Sequence, residues 1–357
     1  MKVRLADVAA YAGVSEASVS RVLNGKPGVS EAQRRTILTA LDMLGYERPP
    51  RARAKKAGLI GLVVPELDNP VFPLFAQSIE MALARHGYTT VLCTQSNYGV
   101  HEDEYVRMLL ERGVSGIVFV SGIHANMDID PTRYVRLRDR GLPIVLINGY
   151  VPGVDAPFVS NDDATAVDLS VRHLAELGHR SIGLAMGPAR YVPVSRRIAA
   201  FQAAIRTHVD PGVRPHDLEH LIACTVFSVD GGTAAAEVLI ERGVTAVICG
   251  SDVMALGVIR AARQHGLRLP QDLSIVGSDD IPLVEFTEPS LTSVHQPVVE
   301  IAETAAKALL DEIAGQAAPR AEYMFRPTLV VRGSTTAPRA QAAVRPRSRI
   351  SDHASAT

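Results

Sequence analysis

Residues 15–24 read Ser-Glu-Ala-Ser-Val-Ser-Arg-Val-Leu-Asn. Val19, Val22 and Leu23 fall three and four apart, the spacing of one helical face. That leaves Glu16, Ala17, Ser18, Ser20, Arg21 and Asn24 outward or at the helix ends. Apart from Glu16 and Arg21, these side chains are short. A helix with such a face can lie close to base edges in a DNA major groove, where an arginine pairs bidentately with guanine O6 and N7. A second kind of chemistry is spread through the rest of the chain. Asp68, Asn148, Asp252 and Asp279 each follow an apolar, strand-like run. Polar groups at the carboxyl ends of buried strands face the crevice where α/β folds bind ligands, and paired hydroxyls of a sugar suit them. Each of these four, taken alone, is equally a helix cap or a turn residue.

The elements that must position the first group are three helices. Leu5, Val8, Ala9 and Ala12 share one helical face, and Gly13 can end that helix by taking a positive φ. Ser15 can cap the next helix. Ser30 and Gln33 have capping-box spacing for a third, whose inner face is Ala40, Leu41 and Leu44 and whose end is Gly45. Two helices joined by a short turn and backed by a third form a helix-turn-helix. The same pattern also fits a small three-helix domain with a solvated polar face. Charge adds to it: residues 1–56 carry 11 Lys and Arg against 5 Asp and Glu, whereas residues 57–337 carry 22 against 32. A basic piece on an acidic body suits a polyanion, although charge alone does not separate nucleic acid from a membrane surface or a solvated arm.

From residue 59 the texture changes. Short apolar runs at 59–65, 89–95, 116–121 and 144–148 alternate with amphipathic stretches near 72–87, 101–112 and 131–140. A second series follows at 181–187, 221–225, 246–251 and 274–280, separated by helical stretches near 195–208, 230–242 and 252–265. Such alternation implies βαβ units, and two series imply two doubly wound parallel sheets. After Ser290 come a short strand, a helix near 298–314 and a final strand at 327–333, so the chain is expected to cross between lobes more than once. The expected division is a headpiece over 1–46, a basic linker over 47–58, a two-lobed body over 59–337 and a disordered tail over 338–357. Within the body, 59–160 and 293–320 are expected in the first lobe, and 161–291 and 321–337 in the second.

Composition excludes several classes. No run of 18 uncharged apolar residues exists, and the first residues lack the apolar core of a secretory signal, which places the chain in the cytoplasm, at the nucleoid, with no membrane partner. The three cysteines, Cys93, Cys224 and Cys249, sit in apolar runs with no metal spacing, so reduced thiols are expected. Glycine-rich phosphate loops, a Gly-x-Ser-x-Gly elbow and a His-Glu-x-x-His motif are all missing. No enzyme activity, cofactor or metal is therefore expected. The body alone would fit a sugar-binding protein of transport type without a DNA role.

The stretch LADVAAYAGVSEASVSRVLNGKPGVS resembles the DNA-binding headpiece of the lactose/galactose-repressor family of bacterial transcription regulators. The motifs are Asp7-Val8-Ala9, Ala12-Gly13-Val14-Ser15, Val19-Ser20-Arg21-Val22 and Asn24. DNPVF (68–72), HLAELGHRSIGLAMG (173–187), SIVGSDD (274–280) and LTSVHQP (291–297) resemble the family's body, which is two-lobed and periplasmic-binding-protein-like (type I). Within the family, the headpiece, YERP and LVVPELDNPVFP are most like actinobacterial maltose regulators. The resemblance implies a homodimer on an inverted-repeat operator of double-stranded DNA, and a small carbohydrate effector that releases it. A corepressor-dependent regulator is the other mode. The DNA-contacting set is then Leu5, Ser15, Glu16, Ala17, Ser18, Ser20, Arg21 and Asn24. The implied effector set adds Arg197, Phe72, Phe227, Ser251 and Gln296 to Asp68, Asn148, Asp252 and Asp279. The sequence lacks Trp, so stacking on a sugar falls to Phe or Tyr, with Tyr191 a further candidate.

The chain departs from the family pattern in three places. Arg4 stands where Thr often caps the first helix, and Asp7 can compensate through the helix dipole. Family members often carry Asp at the position of Asn148 and Asn at that of Ser251. The family's hinge, Asn-x-x-Ala-x-x-Leu, wedges a Leu into the minor groove. Here the stretch is YERPPRARAKKAGLIG, with Pro49 and Pro50 early and no Leu before Leu59. Arg51, Arg53, Lys55 and Lys56 replace it, and an extended basic arm on the DNA is expected.

Overall fold

The computed structural model describes residues 3–23, 26–46, 58–95 and 101–339. Two units divide the chain after Lys56. In the first, α1 (Leu5–Ala12), α2 (Glu16–Leu23) and α3 (Glu31–Met43) enclose Val8, Ala9, Val19, Val22, Ile37 and Ala40. Helices this short are marginal alone, so this shared core holds them. Gly13 takes φ +65° at the end of α1. The backbone N–H of Arg4 donates to Asp7 Oδ2 at 2.7 Å, so Asp7 satisfies a helix-start amide directly. Ser30 Oγ accepts the N–H of Gln33, as the capping spacing predicts. Ile37, absent from the expected inner face, is fully buried. Leu5, expected among the DNA contacts, is half-buried and packs on this core.

The body follows the predicted alternation. Its first half runs β1 (Gly58–Val64), α4 (Val71–Ala84), β2 (Tyr88–Thr94), α5 (Glu102–Glu111), β3 (Gly116–Val120), α6 (Thr132–Asp139), β4 (Ile144–Ile147) and β5 (Phe158–Asn161). The second half runs α7 (Asp163–Glu176), β6 (Ile182–Met186), α8 (Val192–His208), β7 (Ile222–Cys224), α9 (Val229–Glu241), β8 (Ala246–Cys249), α10 (Asp252–Gln264), β9 (Ser274–Asp279) and β10 (Thr292–His295). Then come α11 (Val298–Ile313), β11 (Glu322–Phe325) and β12 (Thr328–Val330). The two six-stranded sheets have orders β11-β5-β4-β3-β1-β2 and β12-β10-β9-β8-β6-β7. Every pairing is parallel except β10 with β12. Helices cover both faces, so β3, β6, β8 and β9 are buried along their whole length, which is why they read as unbroken apolar runs.

The chain crosses between lobes three times: from β5 to α7, from β10 to α11, and from β11 to β12. The expected lobe boundaries need correction here. Thr292–His295 pairs with β9 and belongs to the second sheet, not to the first lobe's 293–320. Glu322–Phe325 pairs with β5 and belongs to the first sheet, not to the second lobe's 321–337. Strands of four residues carry no mark of the sheet they join; the ladder partner decides. β5, α7 and β11 were not anticipated, although Ala166, Val167, Ser170, Val171 and Leu174 of α7 are buried at helical spacing. The basic linker with Arg51, Arg53, Lys55 and Lys56, Asn24, and residues 340–357 of the tail lie outside the described residues.

Candidate functional site

On the headpiece, Ser15, Glu16, Ala17 and Arg21 are exposed, and Ser18 and Ser20 are half-buried. Ser15 Oγ accepts the backbone N–H of Ser18 at 3.2 Å and lies 3.0 Å from Ser18 Oγ. These two serines therefore shape the start of α2, and Glu16, Ala17 and Arg21 make its open face. An exposed, negatively tipped N-terminus followed by a guanidinium one turn later suits recognition of base edges.

In the body, elements that follow strand ends of one lobe touch those of the other. The Asn69 side chain, after β1, lies close enough to Asp279 at the end of β9 to favour its ionised form. The backbone N–H of Met127 donates to the Arg190 carbonyl at 2.8 Å, next to a bridge between Asn126 and Tyr191. Arg196, on α8, holds Glu322 of β11 through two hydrogen bonds of 2.7 and 2.8 Å. The lobes are thus closed on one another.

Two of the expected effector ligands, Arg197 and Asp279, lie near one another on the second lobe. Arg197 Nε donates to Asp163 Oδ1 at 2.8 Å, and its Nη1 donates to the Gly250 carbonyl at 2.9 Å and to Ser278 Oγ at 3.4 Å. These partners come from α7 and the ends of β8 and β9, so the guanidinium is clamped. Asp279 is 9% exposed and has φ +105°, a conformation that non-glycine residues rarely adopt. Burial pushes its carboxyl well above the usual range, and the charge of Asp252 adds to this, while Arg197 and Asn69 oppose it. Burial also raises Asp163, against the pull of Arg197.

The other expected ligands divide. Asn148 has φ +62° and donates from Nδ2 to Ser121 Oγ at 3.2 Å, at the ends of β4 and β3. The Phe227 ring lies against Gly187 and Gly250, and a Cβ on Gly187 would fall 2.1 Å from it. Gln296 is buried, Phe72 is half-buried on the core, and Asp68 is exposed. Ser251 caps α10, accepting the N–H of Met254 at 3.2 Å. Asp252 is fully buried, with Oδ1 accepting from Ser293 Oγ at 2.6 Å and Oδ2 from the N–H of Ile281 at 2.8 Å. Burial holds its carboxyl up at about 7.

Sequence reading missed Asn69, Asp163, Ser121 and Ser278. Asn161-Asp162-Asp163 ends an apolar run, the same signal that pointed to Asp68 and Asn148. Behind Ser121, Tyr134 donates to Glu102 Oε1 at 2.5 Å and accepts the backbone N–H of His124 at 2.8 Å. A cavity of about 10 Å³ touches Arg197, Cys249 and Ser278, far too small for a sugar ring. An open groove of about 580 Å³ lies among Leu269–Gln271 and Glu285–Ser290, which precede β9 and β10. It is at the wrong end of the strands for an α/β ligand site. Among the described residues no group of His, Cys, Asp and Glu could hold a metal, and no helix is long and apolar enough to cross a membrane.

A helix-turn-helix with an open recognition face, joined to a two-lobed body with clamped polar groups between its lobes, is the make-up of a ligand-responsive DNA-binding regulator. Residues 4–49 match bacterial regulatory proteins of the lacI family, and residues 171–335 match the periplasmic binding protein-like domain. The chain is 58% identical over 93% of its length to an HTH-type transcriptional regulator in the aml 5' region of Streptomyces limosus, covering 94% of that protein. It is 53% identical over 94% of its length to the regulator MalR of Streptomyces coelicolor, covering 97% of it. Among solved structures, a CelR–cellobiose complex superposes with TM-score 0.69 at 30% identity, covering 93% of this chain and 100% of that one. The lac repressor dimer bound to operator and an anti-inducer superposes with TM-score 0.66 at 27% identity, covering 94% and 100%. The chain belongs to the lacI family of bacterial regulatory proteins and is a DNA-binding transcriptional regulator.

Proposed function

We propose that this regulator represses sugar-utilisation genes and leaves its operator when a maltose-type oligosaccharide binds between the lobes. The observation that carries the reading is the clamped Arg197 beside the buried, strained Asp279, where strand ends of both lobes meet. A fixed guanidinium and a carboxyl can take paired hydroxyls from two directions, and the Phe227 ring offers a flat apolar face. The names of the Streptomyces relatives favour maltose-type sugars, and the cellobiose bound to the CelR structure favours a disaccharide-sized site. The lobes are tied across the cleft by Arg196 with Glu322 and by Met127 with Arg190, and these links part for sugar entry and re-form around it.

On DNA, a homodimer places two recognition helices on an inverted repeat, with half-sites roughly one helical turn apart. Effector and operator affinities are then reciprocally linked. The test is a thermal-shift screen of the full chain with maltose, maltotriose, cellobiose, ribose and glucose, followed by a gel shift with the upstream region of its own gene. A maltose-type sugar should raise the melting midpoint and release the DNA. A midpoint raised only by ribose or glucose would reject the maltose assignment. A sugar that tightens DNA binding would make the chain a corepressor-dependent regulator.

A further inference from the structure

Asp279 and Asp280 are two successive non-glycine residues with positive φ, +105° and +56°. Such a turn is held only by what surrounds it. The N–H of Asp280 donates to Ser293 Oγ at 3.2 Å, and Ser293 Oγ donates to Asp252 Oδ1 at 2.6 Å. Asp252 Oδ2 accepts the N–H of Ile281 at 2.8 Å. Asp252, Ser293 and the amides of Asp280 and Ile281 therefore close a ring directly behind Asp279. Gly277 leaves room for it, since a Cβ there would fall 2.2 Å from Asp252 Oδ1. The Asp280 carboxylate is fastened separately, by Arg332 Nη2 at 2.7 Å and His295 Nδ1 at 3.2 Å.

We infer that Asp252 is a positioning residue that pins the turn after Asp279 and so aims the Asp279 carboxyl across the cleft. The inference rests on Asp279 being an effector ligand, as proposed above. It reassigns Asp252 from contact to support: both of its oxygens already hold protein donors, and it is fully buried. Asp252 also acts on Asp279 by charge. The charged and polar groups around Asp279 are Asp252 on α10, Arg197 on α8 and Asn69 from the first lobe. Asp163 faces Arg197 from α7, and Asp280, Arg332 and His295 lie on the far side of the ring. Removing the Asp252 charge takes away an acidic neighbour that opposes ionisation of Asp279.

The test uses two readouts on the full chain that need no sugar, so a failure of the proposed effector does not touch them. Hydrogen exchange of the peptide 278–286 reports the turn. The ¹³C-carboxyl titration of Asp279, assigned by its loss in Asp279→Asn, reports its charge state. Asp252→Asn should speed exchange in 278–286 by tenfold or more and lower the Asp279 midpoint, because a neighbouring charge that raises it is gone. Ser293→Ala breaks one link of the ring and keeps the Asp252 charge, and should speed exchange without lowering the midpoint; it also serves if Asp252→Asn does not fold. Unchanged exchange in Ser293→Ala, or faster exchange in Asp252→Asn with the midpoint unmoved, would overturn the inference.

Discussion

Arg197→Ala is expected to do more than silence a sugar response. The guanidinium pairs with Asp163 at 2.8 Å, and the two side chains are only 11% and 6% exposed. Removing the arginine leaves Asp163 buried without its cation, and breaking a buried pair from one side costs roughly 3–5 kcal/mol. It also strips a donor from the Gly250 carbonyl. Burial already raises the Asp163 carboxyl against the pull of Arg197, so the lone aspartate rises further. A folded-state value above the unfolded one gives stability that is present at low pH and lost as pH rises through the folded value. The mutant should therefore approach wild-type stability in acid and fall behind it toward neutral pH. Arg197→Ala/Asp163→Asn should recover more than half of the loss, because no buried charge remains. Urea unfolding followed by circular dichroism measures this; the chain has no Trp to report by fluorescence. A single mutant within about 1 kcal/mol of wild type at neutral pH, or a double mutant no more stable than the single, would refute the argument.

Arg21→Ala should weaken operator binding by roughly 1–3 kcal/mol and leave the melting response to sugar intact, as fluorescence anisotropy and thermal shift would show. Neutralising Arg51, Arg53, Lys55 and Lys56 together should lower the log–log salt slope of DNA binding by up to roughly 3–4 per subunit. An unchanged slope would remove that segment from the phosphate contacts. Glu322→Gln removes one partner of the two-bond link to Arg196, whose side chains are 32% and 15% exposed. At that partial exposure the closed form should lose about 1–2 kcal/mol, and small-angle scattering should show a larger radius of gyration. Identical scattering curves would mean the link does not hold the lobes.

The headpiece was legible residue by residue. Its helices are set by contacts within one or two turns, so the apolar spacing, Gly13, Ser15 and Ser30 each announced their role, and Ile37 alone was passed over. The two parallel sheets were legible for a related reason: a strand covered on both faces must be apolar throughout, and such runs are visible without a partner. The four-residue strands β5, β10 and β11 were missed or placed in the wrong lobe, because so short a strand is specified by the ladder it joins.

At the site, sequence determined that polar residues follow the apolar strands, and that much follows from strand ends facing a crevice. Only the tertiary structure decided what each one does. Ser251 turns back to cap α10, Asp252 is taken up by Ser293 and Ile281, and Asp279 faces Asn69 of the other lobe. Arg197 gains its meaning from Asp163, Gly250 and Ser278, which lie 34, 53 and 81 residues away in the chain. A short polar side chain after a strand has the same local signature whether it satisfies its own helix, supports a neighbour or awaits a ligand. What separates these roles is which donors the rest of the fold brings within about 3 Å, and burial then makes every unmet one costly.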